Sequence, residues 1–127
     1  MGAFGTRRER KENVPEPRRG EIWLGNLNPA TGHEQSGKRP LLIVSDDRFN
    51  ASRAGLVIVV PLTSQYKKIP YHVPVIPPEG GLKVESYIKC EDMRSIAKER
   101  LEVSWGSVSS STLTEVEDRL RLLMGLN

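Results

Sequence analysis

A chain of 127 residues, 37% hydrophobic and 28% charged, has apolar material for one core and the length of one domain, with no disulfide or metal needed to hold it. No apolar run approaches the roughly 20 residues a bilayer helix requires. No apolar stretch follows the charged N-terminus in the manner of a secretory signal, and the lone Cys90 has no internal partner, which fits a reducing cytoplasm. The net charge of +3 is not spread evenly: residues 1–19 hold six cations against three glutamates, and from Gly20 onward thirteen cations meet thirteen anions. Any nucleic-acid role of the folded part therefore rests on local placement of charge rather than on global attraction.

Residues 1–17, rich in Arg, Glu and Pro with almost no core-forming side chains, read as a disordered basic extension ahead of a folded domain at 18–127. Such a segment serves either as an arm touching RNA or DNA or as a solvated leader. Strand-like runs follow. The stretch 21-EIWLGNL-27 alternates around Trp23, and 41-LLIVS-45 and 56-LVIVVPL-62 are β-branched runs of buried-strand length. Further strands are expected over 72-HVPV-75, 86-SYIKCEDM-93 and 101-LEVSWGSV-108, with turns at 28-NPATG-32 and 77-PPEGG-81 and a brief helical turn at 47-DRFNAS-52. Five or six short strands so punctuated predict a mainly β fold, a small antiparallel β-barrel. From Thr112 the chain turns helical, with Leu113, Val116, Leu120 and Leu123 on one face. Thr112 and Glu115 fit a capping box, and Gly125 is the stop. That helix is expected to pack on the barrel.

Chemistry-bearing residues gather where apolar strands begin or end. The polar stretch 32-GHEQSGKRP-40 leads directly into LLIVS; its Gly and Ser suit a closing loop, Glu34 supplies an acceptor or base, and Arg39 a guanidinium matched to phosphate oxygens. Arg39 serves equally well as a surface ion-pair partner. Thr63 and Ser64 close the run LVIVVPL, as donors to phosphate or as turn formers bonding their own backbone. Tyr66, Lys67, Lys68 and Tyr71 interleave rings and cations, an arrangement suited to single-stranded nucleic acid and also to a solvated hairpin tip. In 89-KCEDMRS-95, Lys89 and Glu91 fall two apart on one strand face, as an acid/base pair or a surface salt bridge. The two histidines and Cys90 lack zinc-ligand spacing, so neither metal nor cofactor is expected. Metal-free cleavage of RNA requires only a base for the 2′-hydroxyl, cations for the phosphorane and an acid for the leaving oxygen.

The segments RGEIWL, NP, GHEQSGKRPLLIVS, VVPLTS and IKCEDMRSI, with the closing helix, closely resemble the MazF/PemK (Kid) family of toxins from bacterial type II toxin–antitoxin systems. The likeness runs from about Arg19 to Leu126. It implies an SH3-like, CcdB-type antiparallel β-barrel with a C-terminal α-helix, working as a cytoplasmic homodimer. It further implies a ribosome- and metal-independent, sequence-specific endoribonuclease (an mRNA interferase) that cuts single-stranded RNA by 2′-hydroxyl attack, leaving a 2′,3′-cyclic phosphate and a 5′-hydroxyl. A cognate antitoxin, MazE-like or other, would occlude the RNA groove, and operator DNA would be reached only through that complex.

Carried over by residue, Arg39 matches the family's catalytic arginine and Thr63 its catalytic threonine. Glu34 and Gln35 match the polar pair of the first loop, and His33 a histidine of the Kid branch. Lys89 and Glu91 stand where that branch has an arginine and an aspartate as acid and base. The longer carboxylate arm and the missing guanidinium fork depart from that pattern. Ser64, Tyr66, Lys67 and Lys68 are expected to contact RNA. The alternatives are a CcdB-like toxin acting on DNA gyrase and a non-catalytic SH3-like RNA-binding module. The first uses a C-terminal Trp-Gly-hydrophobic end, whereas here Trp105-Gly106 is internal.

Overall fold

The computed structural model describes residues 15–29, 32 and 37–127. Residues 15–17, assigned above to the extension, pack on the domain: Pro17 is buried, and Glu16 accepts a 2.7 Å hydrogen bond from Lys98 Nζ. Residues 1–14 lie outside the described residues.

Seven strands are present among the described residues: β1 (Glu21–Asn26), β2 (Lys38–Ile43), β3 (Leu56–Thr63), β4 (His72–Val75), β5 (Ser86–Lys89), β6 (Arg94–Ala97) and β7 (Leu101–Ser107). All pair antiparallel in the order β4-β5-β3-β2-β1-β7, with β6 pairing β3 off this path, on the edge that β5 also uses. The mainly β class and the C-terminal helix match the expectation. No ladder joins β4 to β7 among the described residues, so the barrel is a coiled sheet whose open side is covered by the turn at Glu79–Gly81.

β3 explains the extra strand. Its residues 56–59 pair with β6 and its residues 62–63 with β5, both along the edge opposite β2. The expected strand over residues 86–93 follows that edge in two pieces, with three residues looped out between them. It stops at Lys89, makes a 3-10 turn over Cys90–Asp92, and resumes as β6 at Arg94. Pro61 sits where the partner changes, and its missing N–H is harmless at that gap.

Alternate residues of the central strands enter two apolar clusters. Ile22, Leu42, Val60 and Leu62 point one way, towards Ile88 and Val116, and Trp23, Leu41, Ile43 and Val59 point the other, towards Ile96 and Leu101. Burial on both faces explains the nearly unbroken apolar runs at 41–44 and 56–60. Each fully buried Leu, Ile or Val contributes about 1.5–3 kcal/mol relative to exposure.

A short helix α1 (Asp47–Asn50) starts at the Asp46 cap, which accepts from Arg48 N at 2.8 Å. The C-terminal helix α2 (Ser110–Met124) begins earlier than the capping box at Thr112 suggested. Ser109 is its cap, accepting from Thr112 N at 3.1 Å. The serine run at 109–111 offers several caps, and Glu79 selects among them by accepting from Ser109 N at 2.8 Å and from the Thr112 hydroxyl at 2.7 Å. Val116 is fully buried and Leu113 and Leu120 pack beside it, while Leu123 stays partly exposed near the Gly125 stop.

The turn that carries Glu79 meets β7 backbone to backbone. A Cβ on Gly81, whose φ is +76°, would lie 2.1 Å from Trp105 O, and one on Gly80 would lie 2.5 Å from Ile22 Cδ1. Gly81→Ala is therefore expected to destabilise the fold by about 2–3 kcal/mol in urea unfolding, and a loss below about 0.5 kcal/mol would show that this contact yields.

Burial works to raise the Glu79 pKa, but its hydrogen bonds from Ser109 and Thr112 outweigh it and hold the carboxyl below its ordinary 4.5. A depressed folded-state pKa gives stability that is present above pH 4.5 and lost as pH falls through the folded value. Glu79→Gln should thus be less stable near about pH 7 and show a flatter acid limb down to about pH 3. An unchanged limb in urea unfolding would remove Glu79 from this role.

Candidate active site

Arg39 is the second residue of β2, paired across the ladder with Gly25 of β1. A Cβ at Gly25 would lie 2.6 Å from Leu41 Cδ1, so glycine lets β1 approach β2 beneath the arginine. On its other side β2 pairs with β3 through Leu41 and Pro61. Continued two residues, that register sets Arg39 against Thr63, the last residue of β3. The two lie far apart in sequence and come to line one groove because the strands are antiparallel neighbours.

Thr63 is buried, and its Oγ1 accepts from Gln65 N at 3.2 Å. That is the turn-forming use of the hydroxyl; its O–H proton is still available for donation. Ser64 follows on the exposed rim. Opposite them stand Leu82, Lys83 and Val84, on the segment that leaves the Gly80–Gly81 turn, and Ser86, whose Oγ donates to Val84 O at 3.0 Å and braces that segment. Ser104 and Trp105 of β7 complete the wall. The groove so formed has a volume of about 630 Å³. Its described lining carries two cations, Arg39 and Lys83, and no carboxylate, although the domain from Gly20 onward balances in charge.

Lys83, Ser86, Ser104 and Trp105 were not expected at the site. The alternation of 101-LEVSWGSV-108 suggests an unbroken strand, yet the β1–β7 register shifts: Ile22 pairs with Gly106 and Trp23 with Ser104, leaving Trp105 as the extra residue of a bulge. A bulge is decided by both strands, so β7 alone carries no signal for it. Lys83 directly follows the glycine pair and Leu82, a pattern that marks a turn but not the direction in which the next cation points.

Tyr66 and Lys68 lie away from this groove. They line a second concavity of about 650 Å³ with Tyr87, His72 and Arg119, and the Tyr66 and Tyr87 rings stand 5.3 Å apart at 37°. Lys67 is exposed and lines neither hollow.

The expected pairing of Lys89 with Glu91 is not made. Cys90–Asp92 is a 3-10 turn, so strand alternation fails at that point. The buried Lys89 lies 3.1 Å from Asp92, and Glu91 lies 2.9 Å from His72 Nε2. Neither Lys89 nor Glu91 lines the groove of Arg39 and Thr63. His33, Glu34 and Gln35 fall outside the described residues. Among the described residues no three His, Cys, Asp or Glu side chains are grouped to hold a metal ion. Burial pushes the Cys90 thiol up to about 12, leaving it protonated near neutral pH.

Residues 18–124 match the family model described as PemK-like, MazF-like toxin of type II toxin–antitoxin system. The chain is 40% identical over 114 residues to the endoribonuclease MazF9 of Mycobacterium tuberculosis (strain ATCC 25618 / H37Rv), which spans 86% of this chain and 97% of that relative. The crystal structure of MazF from Deinococcus radiodurans (Form-I) superimposes with a TM-score of 0.79 at 29% identity, covering 89% of this chain and all of that one. The MazE–MazF structure from the same organism (Form-II) gives a TM-score of 0.72 at 25% identity, over 90% of this chain and 100% of its counterpart.

The observed contacts of Lys89 and Glu91 lead to a direct test. A double-mutant cycle between Lys89 and Glu91 is expected to give a coupling below about 0.5 kcal/mol in urea unfolding, and cycles for Lys89–Asp92 and His72–Glu91 about 1 kcal/mol or more. The reverse ranking would overturn this pairing.

Proposed function

This chain belongs to the PemK-like, MazF-like family of type II toxin–antitoxin toxins, and on that premise we propose that the groove of Arg39, Thr63 and Lys83 is where it cuts single-stranded RNA. As an endoribonuclease toxin, it has to hold a phosphodiester, activate the adjacent 2′-hydroxyl and stabilise the charge that develops on phosphorus. The reading rests on one observation above all. Arg39, Thr63 and Lys83 come from three separate segments into one groove whose described lining carries no carboxylate.

The 2′-oxygen attacks phosphorus and gives up its proton, the bond to the 5′-oxygen breaks, and that oxygen takes a proton as it leaves. The products are a 2′,3′-cyclic phosphate and a 5′-hydroxyl. Arg39 presents planar donors to the non-bridging oxygens as negative charge builds on them. Thr63, fixed through Gln65 N, directs its hydroxyl proton at the phosphate and keeps the scissile bond in line for attack. Glu34 is the base for the 2′-hydroxyl or the residue that orders its loop, with His33 and Gln35 beside it. Lys89 and Glu91, held by Asp92 and His72, support the far side of β5 rather than the reacting atoms. Ser64 contacts the strand at the rim, and Tyr66, Lys67 and Lys68 meet nucleotides beyond it.

A groove so lined also suits an acidic segment of a cognate antitoxin, which would block RNA by occupying it. The protein is taken to work in the cytoplasm as a homodimer, touching operator DNA only through the antitoxin complex. No helix among the described residues is long and apolar enough to cross a membrane.

With long single-stranded RNA in EDTA, the wild type is expected to make discrete cuts with 5′-hydroxyl ends. Arg39→Ala should slow cleavage by about 10²–10³-fold or more while retaining the fold. Cleavage by Arg39→Ala within about threefold of wild type would refute the assignment.

A further inference from the structure

We propose that Trp105 is a base-stacking platform beside the scissile phosphate and that Lys83 holds the neighbouring phosphate of the same strand. This inference rests on the groove being the RNA-cleavage site. Three observations carry it.

The two tryptophans of the chain are treated in opposite ways. Trp23 is 1% exposed, and its indole N–H donates to Glu21 at 2.9 Å. Trp105 is 39% exposed on the wall of the groove, and its N–H has no partner among the described residues. Its ring forgoes the burial that Trp23 has and is left where a planar apolar ligand would cover it.

The second observation is backbone geometry. Trp105 is the residue skipped in the β1–β7 register, and a bulge re-aims the side chain it carries. Gly81 and Gly106 lock that bulge in place: a Cβ on Gly81 would meet Trp105 O at 2.1 Å, and one on Gly106 would meet Gly80 C at 2.9 Å. The same turn carries Lys83 two residues on. Indole and ammonium are thus presented by two segments held against each other before ligand arrives, which lowers the ordering that binding requires.

Third, Lys83, like Lys67 and Lys68, has no ion-pair partner among the described residues, and of these three it is the one that lines the groove with Trp105. A cation with no ion-pair partner among the described residues, lining the same groove as a partly exposed ring, is the pairing by which single-stranded nucleic acid is held without base-edge readout, the ring taking a base and the cation the phosphate.

The test uses the full chain, an RNA that it cuts, and the same RNA 2′-O-methylated to prevent attack. Trp105→Ala is expected to raise KM roughly 5- to 150-fold with kcat within about threefold, as for loss of a contact equal in ground and transition states. Trp105→Phe, which keeps an aromatic face, should restore KM to within about fivefold. Wild-type tryptophan emission should be quenched on binding the methylated RNA. Trp105→Phe, left with Trp23 alone, should show no quenching at saturation set by the anisotropy of labelled RNA. Lys83→Ala should reduce the slope of log K against log salt by about 0.7. Unchanged KM in Trp105→Ala, or unquenched wild-type emission at saturation, overturns this inference and leaves RNA cleavage standing. A wild type that neither binds nor cuts RNA overturns both.

Discussion

The approach of the Gly80–Gly81 turn to Trp105–Gly106 governs more of this molecule than any ladder bond. The sheet runs from β4 to β7 without a pairing between its two ends among the described residues, and backbone pressed on backbone takes the place of that ladder. Side chains would prevent it, since a Cβ at Gly81 or Gly106 falls within 3 Å of main-chain atoms. Three consequences follow from one contact. The open side of the barrel is covered, the wall bearing Lys83 and Trp105 is fixed, and Glu79 is brought to the start of α2. Helix, turn and groove wall are therefore one mechanical unit.

The opposite wall depends on β3, which serves three neighbours. Pairing with β2 aligns the C-terminal end of β3 with the beginning of β2, so an arginine and a threonine from distant positions line one groove. Pairing with β6 and then β5 on the other edge leaves a short gap at Pro61. The apolar runs of β2 and β3 are buried on both faces, which removes lateral freedom from both strands. Arg39 and Thr63 stand at the mouth of this rigid block, where charge meets solvent without being carried into the core. Thr63 accepts a turn hydrogen bond and keeps a proton to give, so structural and chemical uses of one hydroxyl coexist.

The far side of β5 shows how a shift in local geometry reassigns charges. A strand through residues 89–91 would have set Lys89 and Glu91 on the same face. The 3-10 turn brings Lys89 to Asp92, and Glu91 meets His72 of the neighbouring strand. One ion pair and one imidazole–carboxylate contact take the place of a Lys89–Glu91 bridge, and a buried lysine keeps a counter-charge.

The mainly β class, the runs that became β1 to β5 and β7, and the C-terminal helix with its Gly125 stop were legible in the sequence. Apolar periodicity and glycine or proline punctuation are local quantities, and a strand buried on both faces announces itself as an unbroken β-branched run. Arg39, Thr63 and Ser64 were legible too, as polar residues at the ends of such runs and through the family resemblance. The start of α2, the break before β6, the partners of Lys89 and Glu91, and the places of Trp105 and Lys83 in the groove were not. Each of these depends on a second segment: Glu79 chooses among three serines, the two ladders on β3 differ in register across the break, and the bulge at Trp105 exists only in the pairing with β1. Local propensity determined what each segment is. Pairing between segments decided which side chains share a groove, because register and close backbone approach are properties of two strands together and are written in neither alone.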